Sequence, residues 1–124
     1  MNKLVLEPRS EYLYAYIEGD IDSYEIALDH WREIAGELSK RDLKRVLVHQ
    51  NIIAELSDTE TYRIATELQK IGFSGVKIGV VDEDPNHQKS TEFGVLVGSN
   101  RGLMVVVSNS GSSRGLAVGD DRLN

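Results

Sequence analysis

The chain contains no cysteine among its 124 residues. This absence excludes disulfide bridges, metal sites built on thiolates and a cysteine nucleophile. A protein without cysteine is compatible with the reducing environment of the cytoplasm. The absence of cysteine therefore excludes thiol chemistry and favours a cytoplasmic location.

Long hydrophobic runs are also missing. The first apolar run, Leu4 to Leu6, ends at Glu7 and Pro8 and is far shorter than the apolar region of a signal peptide. The longest purely apolar run, Leu103 to Val107, is too short to cross a bilayer. These lengths predict a soluble, cytoplasmic protein without a membrane span.

Positive charge is scarce. The chain has 14 Lys and Arg residues against 20 Asp and Glu residues, and its net charge is −6. Such a surface repels phosphate backbones and anionic membranes, so nucleic acid is not an expected partner. The basic residues at positions 40, 41, 44 and 45 follow a predicted helix, where they suit the negative end of its dipole.

Catalytic motifs are absent too. The sequence has no phosphate-binding G-x-x-x-x-G-K-[ST] loop, no H-E-x-x-H pair and no G-x-S-x-G elbow. The glycine-containing segments Gly98–Gly102 and Ser110–Gly115 are interpreted as turns, although their N–H groups could hold an anion. We therefore expect no enzyme activity, no catalytic residue and no cofactor.

The periodicity of apolar residues predicts alternating strands and helices in a single domain over residues 1–124. The order β-β-α-β-α-β-α-β-α predicts an α/β fold. Its core is one mixed, mostly parallel sheet of about five strands, with right-handed crossover helices. The predicted strands are Leu4–Glu7, Tyr12–Glu18, Arg45–Gln50, Lys77–Val81 and Leu103–Val107, and the predicted helices are Asp22–Lys40, Asp58–Ile71, Pro85–Val97 and Leu116–Leu123.

Local signals mark the ends of these helices. Asp22 precedes Glu25 by three residues and Ser57 precedes Glu60 by three, so each pair predicts a capping box. Gly72 stands where a helix C-cap belongs. The third helix is opened by Asp84-Pro85, and Gly94 weakens it.

Each of the first two helices carries a predicted buried stripe of apolar residues at three- and four-residue steps. His30 lies beside the stripe of the first helix. The first stripe is Tyr24, Ala27, Leu28, Trp31, Ile34, Ala35 and Leu38, and the second is Tyr62, Ala65 and Leu68 with Ile64 and Ile71 beside them.

The loop over residues 50–57 and the helix that follows form the predicted working edge, because ligands and partners of α/β sheets meet the carboxyl ends of parallel strands. The exposed candidates here are Ser57, Asp58, Thr59 and Glu60. Ser57 is interpreted first as a helix cap. Phosphorylation at the same hydroxyl, where a helix start tolerates an anion, is the functional alternative.

His49, Asp82 and His87 form a second candidate, a polar cleft near strand ends. Asp82, Glu83, Asp84 and His87 together are the densest set of oxygen and imidazole groups that could hold a hard metal. Asp84 is needed as a helix cap and its neighbours suit a solvated loop, so no metal site is predicted.

Three tyrosines alternate along the second predicted strand. Tyr12, Tyr14 and Tyr16 face one side, and Leu13, Ala15 and Ile17 face the other. A tyrosine row suits a half-buried contact, so partial cover by a helix, a partner protein or a homodimer is expected. The acidic charge of the chain argues against an RNA-stacking face.

Several segments resemble the STAS-like families, in particular the SpoIIAA-like or STAS/CRAL-TRIO-like group of bacterial proteins. The matching segments are Tyr12–Gly19, Arg45–Val48, Leu56-Ser57, Lys77–Val81 and Asn100–Gly102. The resemblance implies a mixed sheet with helices that serves as a regulatory or binding module. In the anti-sigma-factor antagonists of these families a serine at the start of the helix after the third strand is phosphorylated, and Ser57 matches that position best. The Asp-Ser-x-Gly pattern of that group is replaced here by Leu56-Ser57-Asp58-Thr59.

Two functions are consistent with these features. The first is a regulatory module that binds another protein around loop 50–57 and the following helix. The second is a small carrier that holds an apolar or lipid-like ligand between the sheet and helix 85–97. The related CRAL-TRIO group binds lipids in an apolar cavity, and the glycine-weakened helix could serve as a movable cover.

Overall fold

A computed structural model describes residues 2–21, 23–54, 56–100 and 102–109. The predicted helix Leu116–Leu123 and the glycine-containing segment Ser110–Gly115 lie outside these residues. No helix within the described ranges is long and apolar enough to span a bilayer.

The strands form one five-stranded sheet in the order in which they occur along the chain. The first strand runs antiparallel to the second, and all other neighbours are parallel. The predicted mixed, mostly parallel sheet is therefore confirmed. The strands are β1 (Lys3–Pro8), β2 (Leu13–Ile21), β3 (Arg45–Ala54), β4 (Lys77–Asp82) and β5 (Met104–Asn109).

Three helices connect the parallel strands. They are α1 (Tyr24–Lys40), α2 (Asp58–Ile71) and α3 (Gln88–Asn100), and a 3-10 turn over Pro85–His87 precedes the last of them. Since the strand order always advances in one direction, right-handed crossovers place all three helices on one side of the sheet. We call that side the helix face. The other side, which no helix of the described chain covers, is the open face.

The core lies between the helix face and the helices. Leu13 and Ala15 of β2 and Val46 and Val48 of β3 have no solvent exposure, and Ile34 of α1 is equally buried. The ring of Trp31 meets that of Phe73 edge to face at 5.3 Å between centroids. Of the stripe predicted for α1, only Tyr24 is not fully buried, and His30 joins the buried side of the helix.

The third strand is longer than predicted. The sequence pattern ended it at Gln50, but β3 continues to Ala54 because β2 continues to Ile21 and supplies a partner. Asn51 pairs with Glu18 and Ala54 with Ile21. The predicted loop 50–57 was therefore wrong over 51–54. The connection between β3 and α2 is confined to residues 55–57.

The helix caps agree with the prediction at α2 and differ from it at α1. At α2 the Ser57 hydroxyl accepts the N–H of Glu60, and the Glu60 carboxylate accepts the N–H of Ser57 at 3.0 Å, so the capping box is confirmed. Gly72 ends the helix at φ 123°, which glycine adopts without strain. At α1 the cap is Ser23, whose hydroxyl accepts the N–H of Ile26, and the prediction of Asp22 was wrong.

The inner face of α2 also differs from its predicted stripe. Tyr62 is 46% exposed, whereas Ile64, Ala65 and Leu68 are buried as expected. The inward position one turn before Ala65 belongs to Thr61, because residues four apart share a helix face. A polar side chain thus stands where the apolar pattern had placed a tyrosine.

The third helix starts later and ends later than predicted. The segment from Pro85 first makes the 3-10 turn, and the Asp84 carboxylate accepts the N–H of Asn86 at 2.9 Å. Asp84 therefore caps the 3-10 turn instead of α3 itself. The helix then runs to Asn100, past Gly98, where the prediction had ended it.

Two isoleucines of α1 allow a matched test of the core. We expect Ile34→Ala to lower the free energy of unfolding by about 2–5 kcal/mol, because it leaves a cavity at a fully buried site. Ile26→Ala, at a position 36% exposed on the same helix, should cost well under half as much. Urea unfolding followed by circular dichroism measures both. Equal costs would contradict the packing described for α1.

Candidate functional site

A cavity of about 140 Å³ lies between the helix face of the sheet and helices α2 and α3. Its wall is mostly apolar, with contributions from the sheet, from all three helices and from the start of β5. The main apolar side chains are Ile52, Ile64, Leu68, Ile78, Leu103 and Val105. Such a concave, apolar space with a few polar groups is the usual form of a small-molecule site.

Two glycines on α3 set the shape of this cavity. Gly94 and Gly98 lie one turn apart and both line the space. A Cβ atom at Gly98 would lie 3.2 Å from Cγ2 of Val105, so the missing side chain lets α3 approach β5 closely. A Cβ atom at Gly94 would lie 3.4 Å from Cγ2 of Thr61 on α2, so α3 also approaches α2 closely. The glycines that lower the helix propensity of α3 therefore also allow this helix to pack closely against its neighbours.

One end of the cavity is polar. Gln50, in the middle of β3, and Asp82, the last residue of β4, are register partners, and both line the space. The Asp82 carboxylate accepts the N–H of Asp84 at 2.9 Å, and Nδ1 of His87 lies 3.1 Å from each of its oxygens. His87 is only 6% exposed, and its Nε2 lies 3.4 Å from the carboxylate of Asp84. Hydrogen bonds therefore fix the position of Asp82 and of the buried imidazole.

The predicted polar cleft is divided between the two faces of the sheet. Asp82 and His87 come together at the cavity, whereas His49 lies on the open face, because side chains alternate along β3. Gln50, the next residue, takes the place in the cavity that had been expected for His49. Gln50 follows Val46 and Val48 at two-residue steps, and this alternation in the sequence predicts that its side chain faces the helices.

His49 belongs to a hydrogen-bonded chain on the open face that joins β2, β3 and Glu83, the residue after β4. Its Nε2 lies 2.7 Å from a carboxylate oxygen of Glu83, and its Nδ1 lies 2.8 Å from the hydroxyl of Tyr14. Since a carboxylate only accepts, Nε2 donates to Glu83, and a neutral imidazole then accepts the hydroxyl proton of Tyr14 at Nδ1. Burial raises the pKa of Tyr14, and the negative charge of Glu7 adds to the effect.

The tyrosine row follows the predicted alternation. Tyr14 and Tyr16 lie on the open face, half-buried, and the ring of Tyr16 meets that of His49 edge to face at 5.3 Å. The guanidinium of Arg9 lies 4.9 Å from the centroid of the Tyr14 ring. These contacts give the row local partners within the chain. The self-association expected for it stays a prediction.

The residues at the start of α2 are accessible. Ser57, Asp58 and Thr59 are exposed, and Glu60 is half-buried. The Ser57 N–H that donates to Glu60 lowers the pKa of that carboxyl. The Ser57 hydroxyl itself lies 3.0 Å from the Glu60 carboxylate, so a phosphate on Ser57 would meet negative charge.

Across the described ranges no group of three or more His, Asp and Glu side chains could hold a metal ion. In comparisons with known proteins, no family model matches the chain and no curated protein matches it. The contacts described above are therefore the basis for inferring a function.

The hydrogen-bonded chain of Tyr14, His49 and Glu83 can be tested by a double-mutant cycle. We expect Tyr14→Phe to cost about 0.5–1.5 kcal/mol of unfolding free energy, because a part-buried hydrogen bond is lost. In a His49→Ala background the same change should cost almost nothing. Tyr16→Phe, which removes a more exposed bond to Asn51, is the control and should cost less. A Tyr14→Phe cost that is independent of His49 would contradict the coupling.

Proposed function

We propose that this protein is a non-enzymatic binding module that holds a small apolar or amphipathic molecule between the sheet and helices α2 and α3. One observation carries the proposal, namely the apolar cavity with a polar end formed by Gln50 of β3 and by Asp82 at the carboxyl end of β4. Open α/β sheets bind their ligands at this edge. The apolar wall would supply affinity, and Asp82 and Gln50 would orient the ligand.

The volume of the cavity limits the size of the occupant. An apolar cavity of about 150 Å³ in another protein takes up benzene. At about 140 Å³, this cavity fits a body of about one ring. The acyl chains of a phospholipid are far larger, so the proposal narrows the expected lipid-like ligand to a small one.

Entry of the ligand would involve α3. Gly94 and Gly98 each lower intrinsic helix stability by about 1 kcal/mol relative to alanine, so α3 is a weak helix. Elements of low local stability are the ones that move when ligands enter. We therefore propose α3 as the cover of the cavity.

Filling the cavity provides the direct test. We expect toluene or benzyl alcohol, at about ten times its Kd, to stabilise the wild-type protein by about 1.4 kcal/mol, seen as a rise in Tm. Gly94→Leu should abolish this rise, because the new side chain occupies the cavity beside Thr61.

Gly36→Leu is the matched control. It adds the same side chain to α1 at an exposed glycine with no atom within 4 Å of a new Cβ, so the rise in Tm should persist. If no single-ring compound stabilises the wild-type protein, or if Gly94→Leu responds as the wild type does, the proposed ligand site is wrong.

The start of α2 supports a second candidate function, a regulatory contact with another protein. Tyr62, at 46% exposure, lies one turn of α2 after Asp58, beside the exposed residues Ser57 to Thr59. Exposed apolar side chains bordered by polar ones are typical of contact surfaces. We propose residues 56–62 as the partner surface, should the chain act through a protein.

A charge reversal tests this second candidate. We expect Asp58→Lys to reduce the recovery of a specific partner from an extract of the source cell, because it inverts the charge at the centre of the surface. Asp29→Lys makes the same change at an exposed position of α1 and should leave recovery unchanged. Quantitative mass spectrometry of the captured proteins measures both. Equal recovery with Asp58→Lys and wild type would rule out residues 56–62 as the partner surface.

A further inference from the structure

The polar end of the cavity defines the chemical class of the ligand, provided that the proposed ligand site is right. We propose that the ligand is a single-ring or similarly small amine, with its ammonium group against Asp82 and its apolar body in the cavity. A neutral alcohol of the same shape binds more weakly. A carboxylate of the same shape is rejected.

The first support is the acceptor capacity of Asp82. Its side chain is 13% exposed and lines the cavity. A carboxylate offers about four acceptor positions. The N–H of Asp84 and the ring N–H of His87 use one oxygen together and the second oxygen in part. The carboxylate can therefore accept a further donor, and the neighbouring side-chain amide of Gln50 supplies another acceptor oxygen.

The second support is the sign of the charge. Asp82, Asp84 and His87 form one connected group with two carboxylates and one imidazole. This group is net negative whether the imidazole is protonated or not. Among the described residues that line the cavity there is no lysine and no arginine. A cation beside Asp82 is therefore favoured, because opposite charges attract at short range.

The positive ends of helices would ordinarily favour an anion at this edge of the sheet. Here the protein supplies its own anions. The Asp84 carboxylate accepts the N–H of Asn86, and the Asp82 carboxylate accepts the N–H of Asp84. These N–H groups would otherwise be free to donate to a bound phosphate or carboxylate. Because they already donate to Asp82 and Asp84, an anionic ligand cannot use them.

A set of isosteric probes separates the head group from the cavity. Benzylamine, benzyl alcohol, benzoate and toluene share one ring and differ in charge and in hydrogen bonding. We expect benzylammonium to bind the wild-type protein at least about tenfold more tightly than benzoate at neutral pH, with benzyl alcohol in between. Titration of a ¹⁵N-labelled sample by NMR measures each Kd. The amide signals of residues 82–84, 86 and 87 should respond most strongly to the amine.

Two variants test whether Asp82 causes the preference for the amine over benzoate. Asp82→Asn keeps an oxygen that can accept the N–H of Asp84 but removes the charge, so the preference for the amine over benzoate should disappear. Asp29→Asn removes an exposed charge from α1 and should leave the preference intact. The wild-type series needs no variant, so it decides the question even if Asp82→Asn does not fold.

The possible failures are distinct. Binding of toluene and benzyl alcohol without any preference for the amine would overturn the assigned ligand class and leave the cavity as a ligand site. A preference that persists in Asp82→Asn would overturn the role of Asp82. Binding of none of the four probes would overturn the proposed ligand site, and the ligand class with it.

Discussion

The pairing of β2 with β3 is the constraint on which the rest of the structure depends. It extends from Leu13 opposite Val46 to Ile21 opposite Ala54, and side chains alternate between the two faces along it. A slip of β3 by one residue would turn Val46 and Val48 out of the core and bring His49 into it. The buried valines hold the register. The register in turn decides that Gln50 lines the cavity and that His49 meets Tyr14.

The cavity is a part of the interior that side chains do not fill, and two glycines of α3 leave it open. Protein interiors are filled to the density of organic crystals, and empty space lowers stability. A side chain at Gly94 would project toward Thr61, and one at Gly98 would press on Val105 and push α3 away from β5. Glycine at both positions holds the helix close while leaving part of the interior unfilled. Sites that bind ligands commonly give up stability in this way.

Features determined by neighbouring residues could be predicted from the sequence. The capping box of Ser57 and Glu60 and the C-cap at Gly72 depend on contacts within a few residues, and the structure has them as expected. The alternation of Leu13, Ala15 and Ile17 likewise placed β2 correctly. The order of helices and strands was enough to predict the mixed sheet.

Features that depend on distant residues could not be predicted in the same way. The extension of β3 to Ala54 requires that β2 reach Ile21, and the strand pattern of either segment alone does not show it. The contact of Tyr14, His49 and Glu83 joins residues of β2 and β3 with the residue that follows β4. At α1, Asp22 and Ser23 are both good caps, and only the backbone path selects the serine. The predicted polar cleft was wrong for His49, because alternation along β3 turns His49 to the open face and Gln50 to the helix face.

Asp82 and Glu83 are adjacent in sequence and serve opposite sides of the sheet. The side chain of Asp82 lines the cavity, while that of Glu83 holds His49 on the open face and its N–H donates to the carbonyl of Gln50. A single peptide unit thus connects Asp82, which lines the cavity, with Glu83, which contacts the His49 imidazole on the open face. A change in backbone position at Asp82 would therefore bear directly on the Glu83–His49 contact on the open face.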